Sequence, residues 1–216
     1  MTFDATDLAA QEAFQRLKEE VSRADPTTLR LILTEARTQN VWQERDVSND
    51  TLKDIYQIMK MGPTSANCCP ARIVFLKSQV SKERLRNALK PNNIDKTMSA
   101  PVTAIIAYDT AFWKHAETMF PQNPNAQLTF KDDPKGSGIA AFRNGSLQGA
   151  YFIIAARAVG LDCGPMSGFD NALVDDEFFA GTTLKSNFLC NLGYGDATKT
   201  FKRLPRFDFD EVCEVL

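Results

Sequence analysis

The chain has 216 residues, with 25 Lys+Arg against 27 Asp+Glu and a single His, for a formal net charge of −2. Hydrophobic residues make up 44% and charged residues 24%, which excludes collagenous and wholly disordered classes. The length suits one generous domain, or a domain with an appended arm, that buries a sizeable core. Nucleic acid is not an expected partner, because neutralising phosphates takes a basic excess that is missing here. A small anionic ligand needs only two or three local arginines and stays compatible with this balance.

Other classes fall away with equal economy. The longest apolar stretches, residues 100–108 and 150–156, are far below the roughly 20 residues of a membrane span, so no membrane association is expected. Residues 1–20 show no basic segment followed by an apolar one, so no secretory signal is expected. The cysteines at 68, 69, 163, 190 and 213 follow no zinc spacing. Cys68 and Cys69 are adjacent, which is poor geometry for an ordinary disulfide. They read as reduced thiols of a cytoplasmic protein. With one histidine, His115, a His-rich metal site is excluded and no metal is expected. No nucleophile motif lies near His115, so it reads as a surface or packing residue.

In chain order, residues 6–24 place Ala10, Phe14, Leu17 and Val21 on one face and predict an amphipathic helix stopped by Asp25-Pro26. A second helix carries Leu29, Ile32, Leu33 and Ala36 and leads into Arg37. A third begins at Ser48, shows Leu52, Ile55, Tyr56 and Met59 on one side, and ends at Gly62-Pro63. Residues 72–77 and 102–108 are β-rich runs of buried-strand type, and 82–89 between them predicts a helix capped by Ser81. After a polar, proline-punctuated stretch, residues 142–159 form a helix apolar nearly all round, as expected of one buried centrally or against a second subunit. Residues 174–179 predict a short helix, 187–194 a third strand, and 202–216 an arm suited to packing on a partner. Too few strands alternate with helices for a doubly wound sheet, so a compact α+β fold is expected.

No dinucleotide fingerprint is present: Gly193-Tyr194-Gly195 lacks a third glycine and a following helix. Gly164-Pro165-Met166-Ser167-Gly168 lacks the order of a nucleophile elbow. Three loops instead combine small, polar and Pro/Gly residues at the ends of apolar elements: residues 37–40, 62–70 and 163–170. Such loops bring backbone N–H groups close to a flat polar ligand. On composition alone, turn chemistry explains each of them equally well.

Together these segments resemble the nitroreductase family. Arg37-Thr38-Gln39-Asn40-Val41-Trp42 is similar to its Arg-Ser-x-Arg-x-Phe segment. Gly62-Pro63-Thr64-Ser65-Ala66-Asn67-Cys68-Cys69-Pro70 is similar to its Ala-Pro-Ser-x-x-Asn-x-Gln-Pro loop. Gly160-Leu161 through Gly164-Pro165-Met166-Ser167-Gly168-Phe169 resembles the loop that leads from its helix to the flavin. Gly193-Tyr194-Gly195 with Arg203-Leu204-Pro205-Arg206 resembles its closing strand and basic tail. The likeness spans residues 28–216 and leaves residues 1–27 as an N-terminal helical extension. Residues 62–71, 164–170 and 178–187 most resemble malonic semialdehyde reductases of pyrimidine utilisation.

The resemblance implies an intertwined homodimer with a mostly antiparallel sheet flanked by helices, FMN as cofactor, and NADH or NADPH as co-substrate. It implies reduction of a small carbonyl substrate, malonic semialdehyde, to 3-hydroxypropionate. A broad nitro- or quinone-reducing flavoprotein and a flavin-binding protein without turnover are the alternatives. Arg37 and Thr38 are expected at the flavin phosphate with Arg206 and Arg203, and Gln39, Asn40 and Pro63 in the same cofactor set. Thr64, Ser65 and Asn67 are expected to reach the flavin from the opposite chain. Pro165, Met166, Ser167 and Gly168 are expected behind the ring. Asn40 stands where the family usually carries Arg or Lys, which removes a positive charge from the ring's pyrimidine edge. Arg72 or Arg143 is the expected partner of a substrate carboxylate, and no residue is singled out as proton donor.

Overall fold

The computed structural model describes residues 5–216, and they divide into two compact units between Ala36 and Arg37. In the first unit, α1 (Ala5–Glu20) is exposed along its length. Its stripe of Phe14, Leu17 and Val21 is about half exposed in the single chain. Asp25-Pro26 does not stop this helix, which ends at Glu20. Instead it starts α2 (Pro26–Leu29): the Asp25 carboxylate accepts from the N–H groups of Thr27 and Thr28, and Pro26 occupies the first turn, where no N–H is needed. The helix then widens into a π-turn over Arg30–Thr34.

The second unit is built on a four-stranded antiparallel sheet, order β1-β2-β4-β3, flanked by helices. The strands are β1 (Ala71–Leu76), β2 (Val102–Asp109), β3 (Asp162–Met166) and β4 (Leu184–Gly193). β2 lies centrally, and its alternation assigns the two faces. Val102, Ala104 and Ile106 pack with Leu52, Ile55 and Met59 of α3 (Asn49–Met59) and Phe152 and Ala156 of α8 (Pro134–Ala158). Ile105 and Ala107 pack with Leu85, Val174 and Phe179 on the other side. Ser48 caps α3 through its hydroxyl, as expected, although Tyr56 is left exposed.

Several boundaries differ from the expectations. The predicted helix at 82–89 is a short α4 (Gln79–Glu83) capped by Ser78 rather than Ser81, followed by a 3-10 turn. Residues 91–98, unassigned from sequence, form α5 (Pro91–Met98). The polar stretch after β2 holds α6 (Ala116–Met119) and α7 (Asn125–Leu128). α8 starts at Pro134, eight residues before the predicted onset, with the Asp133 carboxylate accepting from Gly136 N–H. It is not buried all round: Gly145, Gly149, Phe152 and Ala156 face the core, while Ile139, Phe142 and Leu147 are exposed in the single chain. Residues 162–166 are strand, not loop. α9 (Asn171–Phe179), capped by the Asp170 carboxylate, links that strand to β4. Among the described residues no helix is long and apolar enough to cross a membrane.

Candidate functional site

The stretch from Arg37 to Trp42 runs as an added partner along β3. Gln39 N–H donates to Cys163 O at 2.9 Å, Thr38 bridges Cys163 in parallel, and Trp42 bridges Gly195. The approach is so close that a Cβ on Gly164 would lie 2.6 Å from Gln39 O. The Gln39 side chain turns inward, accepting from the Thr200 hydroxyl at 3.3 Å. Thr38 and Asn40 remain accessible beside it. The Arg37 guanidinium donates to Phe201 O, so the tail departs from this same corner.

α5 closes the other side of this corner and is not among the elements expected from the sequence. The side chain of Asn93, 4% exposed, donates to Gly168 O at 2.7 Å, and Lys90 N–H donates to the same carbonyl at 3.0 Å. Any side chain at position 168 would break this contact, since its Cβ would fall 2.4 Å from Asn93 Nδ2. One turn on, Lys96 Nζ donates to Asn40 Oδ1 at 3.4 Å. Lys96 is half-buried, and burial lowers its pKa. Among the described residues its ammonium has no carboxylate partner within 4.0 Å. Desolvating a cation without a counter-ion is costly, so this corner is prepared for negative charge.

The helix is held firmly to do this. Lys96 O accepts from both Trp42 Nε1 and Asn191 Nδ2 at 3.1 Å. Lys82 Nζ donates to Met98 O and Ala100 O at 2.7 and 2.6 Å, placing a cation at the helix C-terminus. The signals for α5 were Pro91 in its first turn and the Ile94–Met98 spacing. Its polar composition hid them.

The second group of expected residues lies elsewhere in the chain. Pro63 O accepts from the Tyr151 hydroxyl at 3.0 Å, Ser65 N–H donates to Asn144 Oδ1 at 2.8 Å, and Asn67 Nδ2 donates to Met119 O at 2.6 Å. Thr64 Oγ1 accepts from Cys69 N–H at 3.1 Å. Asn67 lines a cleft of about 650 Å³ with Cys69, Arg72 and His115. Pro165, Met166 and Ser167 line another, of about 680 Å³, with Tyr108 and Lys185. The two clefts share no residue within one chain. Arg203 and Arg206 sit in the exposed tail, where the Arg206 guanidinium donates to Leu204 O and Pro205 O.

The carboxylate anchor expected at Arg72 is already engaged. Its guanidinium pairs with Asp109 at 3.2 Å and donates to Cys69 O and Ala71 O, so its charge is largely spent. Arg143 is on the exposed side of α8. Among the described residues no cluster of His, Cys, Asp or Glu suits a metal ion.

Solved structures share this architecture. A Bacillus subtilis protein assigned to the nitroreductases superposes with a TM-score of 0.81 at 18% identity, over 89% of this chain and all (100%) of its own. An Exiguobacterium sibiricum protein of the same assignment, solved in complex with FMN, gives 0.79 at 14%, over 90% and 99%. A Staphylococcus epidermidis protein assigned as an NAD(P)H:FMN oxidoreductase gives 0.75 at 21%, over 86% and 94%. The profile of the nitroreductase family matches residues 37–194, which contain the Arg37 corner, the residue 64–69 turn, α5 and Gly168. The chain belongs to the nitroreductase family.

Proposed function

We propose that the protein is an FMN-dependent NAD(P)H oxidoreductase acting as a homodimer, with malonic semialdehyde as its carbonyl acceptor. The observation that carries the flavin reading is the convergence of Arg37, Thr38, Asn40, Lys96 and Gly168 around one corner, with a half-buried ammonium that lacks a counter-ion among the described residues. That donor set fits the group. A phosphate near −2 charge takes the Arg37 guanidinium and the Thr38 hydroxyl, and each charge-assisted bond contributes about 1.5–3 kcal/mol. Arg203 and Arg206 would join them once the tail folds back. Asn40 and Lys96 would meet the ring's pyrimidine edge, and residues 165–168 would back the ring. Ser65 and Asn67 of the partner subunit would complete the enclosure, a reading supported by the two separate clefts of one chain.

When bound, FMN supplies two-electron hydride chemistry between a reduced nicotinamide and the acceptor. The chain contributes orientation, exclusion of water and electrostatics. Lys96 restores the positive charge that position 40 gives up, which favours the anionic reduced ring. The pinned Gly168 carbonyl fixes the segment behind the ring.

A broad nitro- or quinone-reducing activity is the second reading, and the pairing of Arg72 with Asp109 favours it by removing one anchor for a substrate carboxylate. The loss of a cation at position 40 favours a flavin carrier without turnover, and Lys96 beside it weakens that support. The test is direct. The purified protein is expected to be yellow, and anaerobic NADH or NADPH to bleach its visible absorbance. Malonic semialdehyde should then restore the colour faster than a nitroaromatic or a quinone. A colourless protein that cannot be reconstituted with FMN overturns the flavin reading. Failure of the aldehyde alone overturns the acceptor.

A further inference from the structure

The turn at residues 64–69 has an unusual backbone. Ala66 (φ 47°), Asn67 (φ 50°) and Cys69 (φ 37°) are the only non-glycine residues of positive φ among the described residues. L side chains are strained there, and such conformations persist only where the surroundings over-determine them. Here the surroundings are buried amides. Asn144 Oδ1 accepts from Ser65 N–H, Gln148 Oε1 accepts from Ala71 N–H, and Gln127 Nε2 donates to Ala66 O, each at 2.8 Å.

Gln127 is the telling member. Its side chain is fully buried (0% exposed), and among the described residues its Oε1 meets no hydrogen-bond partner. A carbonyl only accepts, so the contact with Ala66 O fixes Nε2 as the atom facing it. Burying a carboxamide with one end unsatisfied is unfavourable, and leucine would fill comparable space without that cost. The bond to Ala66 O is therefore what the residue is there to make.

We propose that Gln127 is a positioning residue, holding Ala66 O so that the strained turn presents Ser65 and Asn67 to the flavin of the partner subunit. The inference rests on the proposed function above. Without the bond, Ala66 relaxes toward negative φ, the neighbouring peptide planes rotate, and Asn67 is re-aimed. The turn then meets the cofactor only after reordering, and binding weakens by that cost.

The test titrates apoprotein with FMN for the native chain, Gln127→Leu and Gln127→Glu, recording flavin fluorescence, visible circular dichroism of the bound flavin, and Tm. Gln127→Leu is expected to bind FMN about tenfold more weakly, equivalent to about 1.4 kcal/mol, with an altered dichroism. Gln127→Glu separates positioning from packing. Its protonated acid donates to Ala66 O as the amide does, whereas its carboxylate cannot and is repelled. Burial raises the acid's pKa above its ordinary value of about 4.3. Affinity relative to the native chain, which cancels titration of the flavin phosphate, should therefore fall as pH rises from about 5 to about 8. The Gln127→Leu ratio should stay flat. If Gln127→Leu does not fold, the pH series of Gln127→Glu decides alone. Native-like affinity and dichroism in both variants at every pH, or a lowered Tm with those unchanged, overturns the proposal. Failure of the native chain to bind FMN overturns the functional reading instead, and this inference with it.

Discussion

At position 40 an asparagine occupies ground where the family resemblance leads one to expect a cation, and the cation nearest to it comes from a helix fifty residues further on. Lys96 reaches Asn40 at 3.4 Å, desolvated and, among the described residues, without a carboxylate partner. Its charge is therefore available to a reduced, anionic ring. Replacing Lys96 with Met should lower the two-electron potential of bound flavin by about 30–60 mV, the equivalent of one charge-assisted bond. Equilibration with a reference dye measures it, and an unshifted potential would place Lys96 outside the cofactor's field.

The thiols offer a second check at this scale. Burial pushes the Cys68 thiol up to about 11, so it stays protonated at neutral pH. Cys190 is raised by its contact with Cys163 and by burial, and both are fully buried. Cys213 is exposed. The thiolate is the reactive form, so burial should protect Cys68, Cys163 and Cys190 in the native protein. They should react only on unfolding, as peptide mapping would show. Prompt labelling of Cys163 or Cys190 would contradict the packing of the sheet.

Among the elements, those with a strong apolar period were legible. α3 announced itself through Ser48, Leu52, Ile55 and Met59, and β2 through an unbroken buried run. β3 was not, because Gly164-Pro165 reads as a turn. Proline is tolerated there because β3 is the last strand of the four, and the stretch from Arg37 to Trp42 beside it bridges Cys163 and asks no N–H of residue 165. α5 was missed because PNNIDKTM is polar along most of its length, and with it went Asn93 and Lys96. The first turns of α8 were hidden by Gly136 and Gly138, which local propensity assigns to a loop.

Two glycines of α8, Gly138 and Gly149, give a paired test on one helix. At Gly149 an added Cβ would lie 2.5 Å from Phe188 and 3.4 Å from Ile106, so the helix sits on the sheet through that bare position. At Gly138 nothing lies within 4 Å. Gly149→Ala should therefore destabilise by about 1–3 kcal/mol through overpacking, less the helical gain. Gly138→Ala should stabilise by up to about 1 kcal/mol. Chemical denaturation of both variants decides it, and equal signs would show that the Phe188 contact does not set the helix–sheet distance.

For the whole molecule, the sequence resemblance supplied two halves of the proposed site and the expectation that they meet across two chains. One chain keeps Asn67 and Ser167 in separate clefts, which local pattern alone could not reveal. The tail beyond Phe201 is exposed throughout, including Phe207, Phe209, Val212 and Val215, each more than 60% accessible. Apolar side chains in such number seek a cover, and the proposed homodimer provides one on the partner's surface. The same tail carries Arg203 and Arg206, so assembly and phosphate binding should fail in separable ways. Deleting residues 202–216 is expected to yield monomers that lose FMN. Arg37→Ala combined with Arg206→Ala should leave the dimer intact while weakening FMN more than about 100-fold, since two charge-assisted bonds contribute about 3–6 kcal/mol. Sedimentation equilibrium and flavin titration of the two variants separate these effects. A deleted chain that stays dimeric would mean that α8 and the N-terminal helices suffice for assembly. A double variant that binds FMN as tightly as the native chain would move the phosphate away from the Arg37 corner.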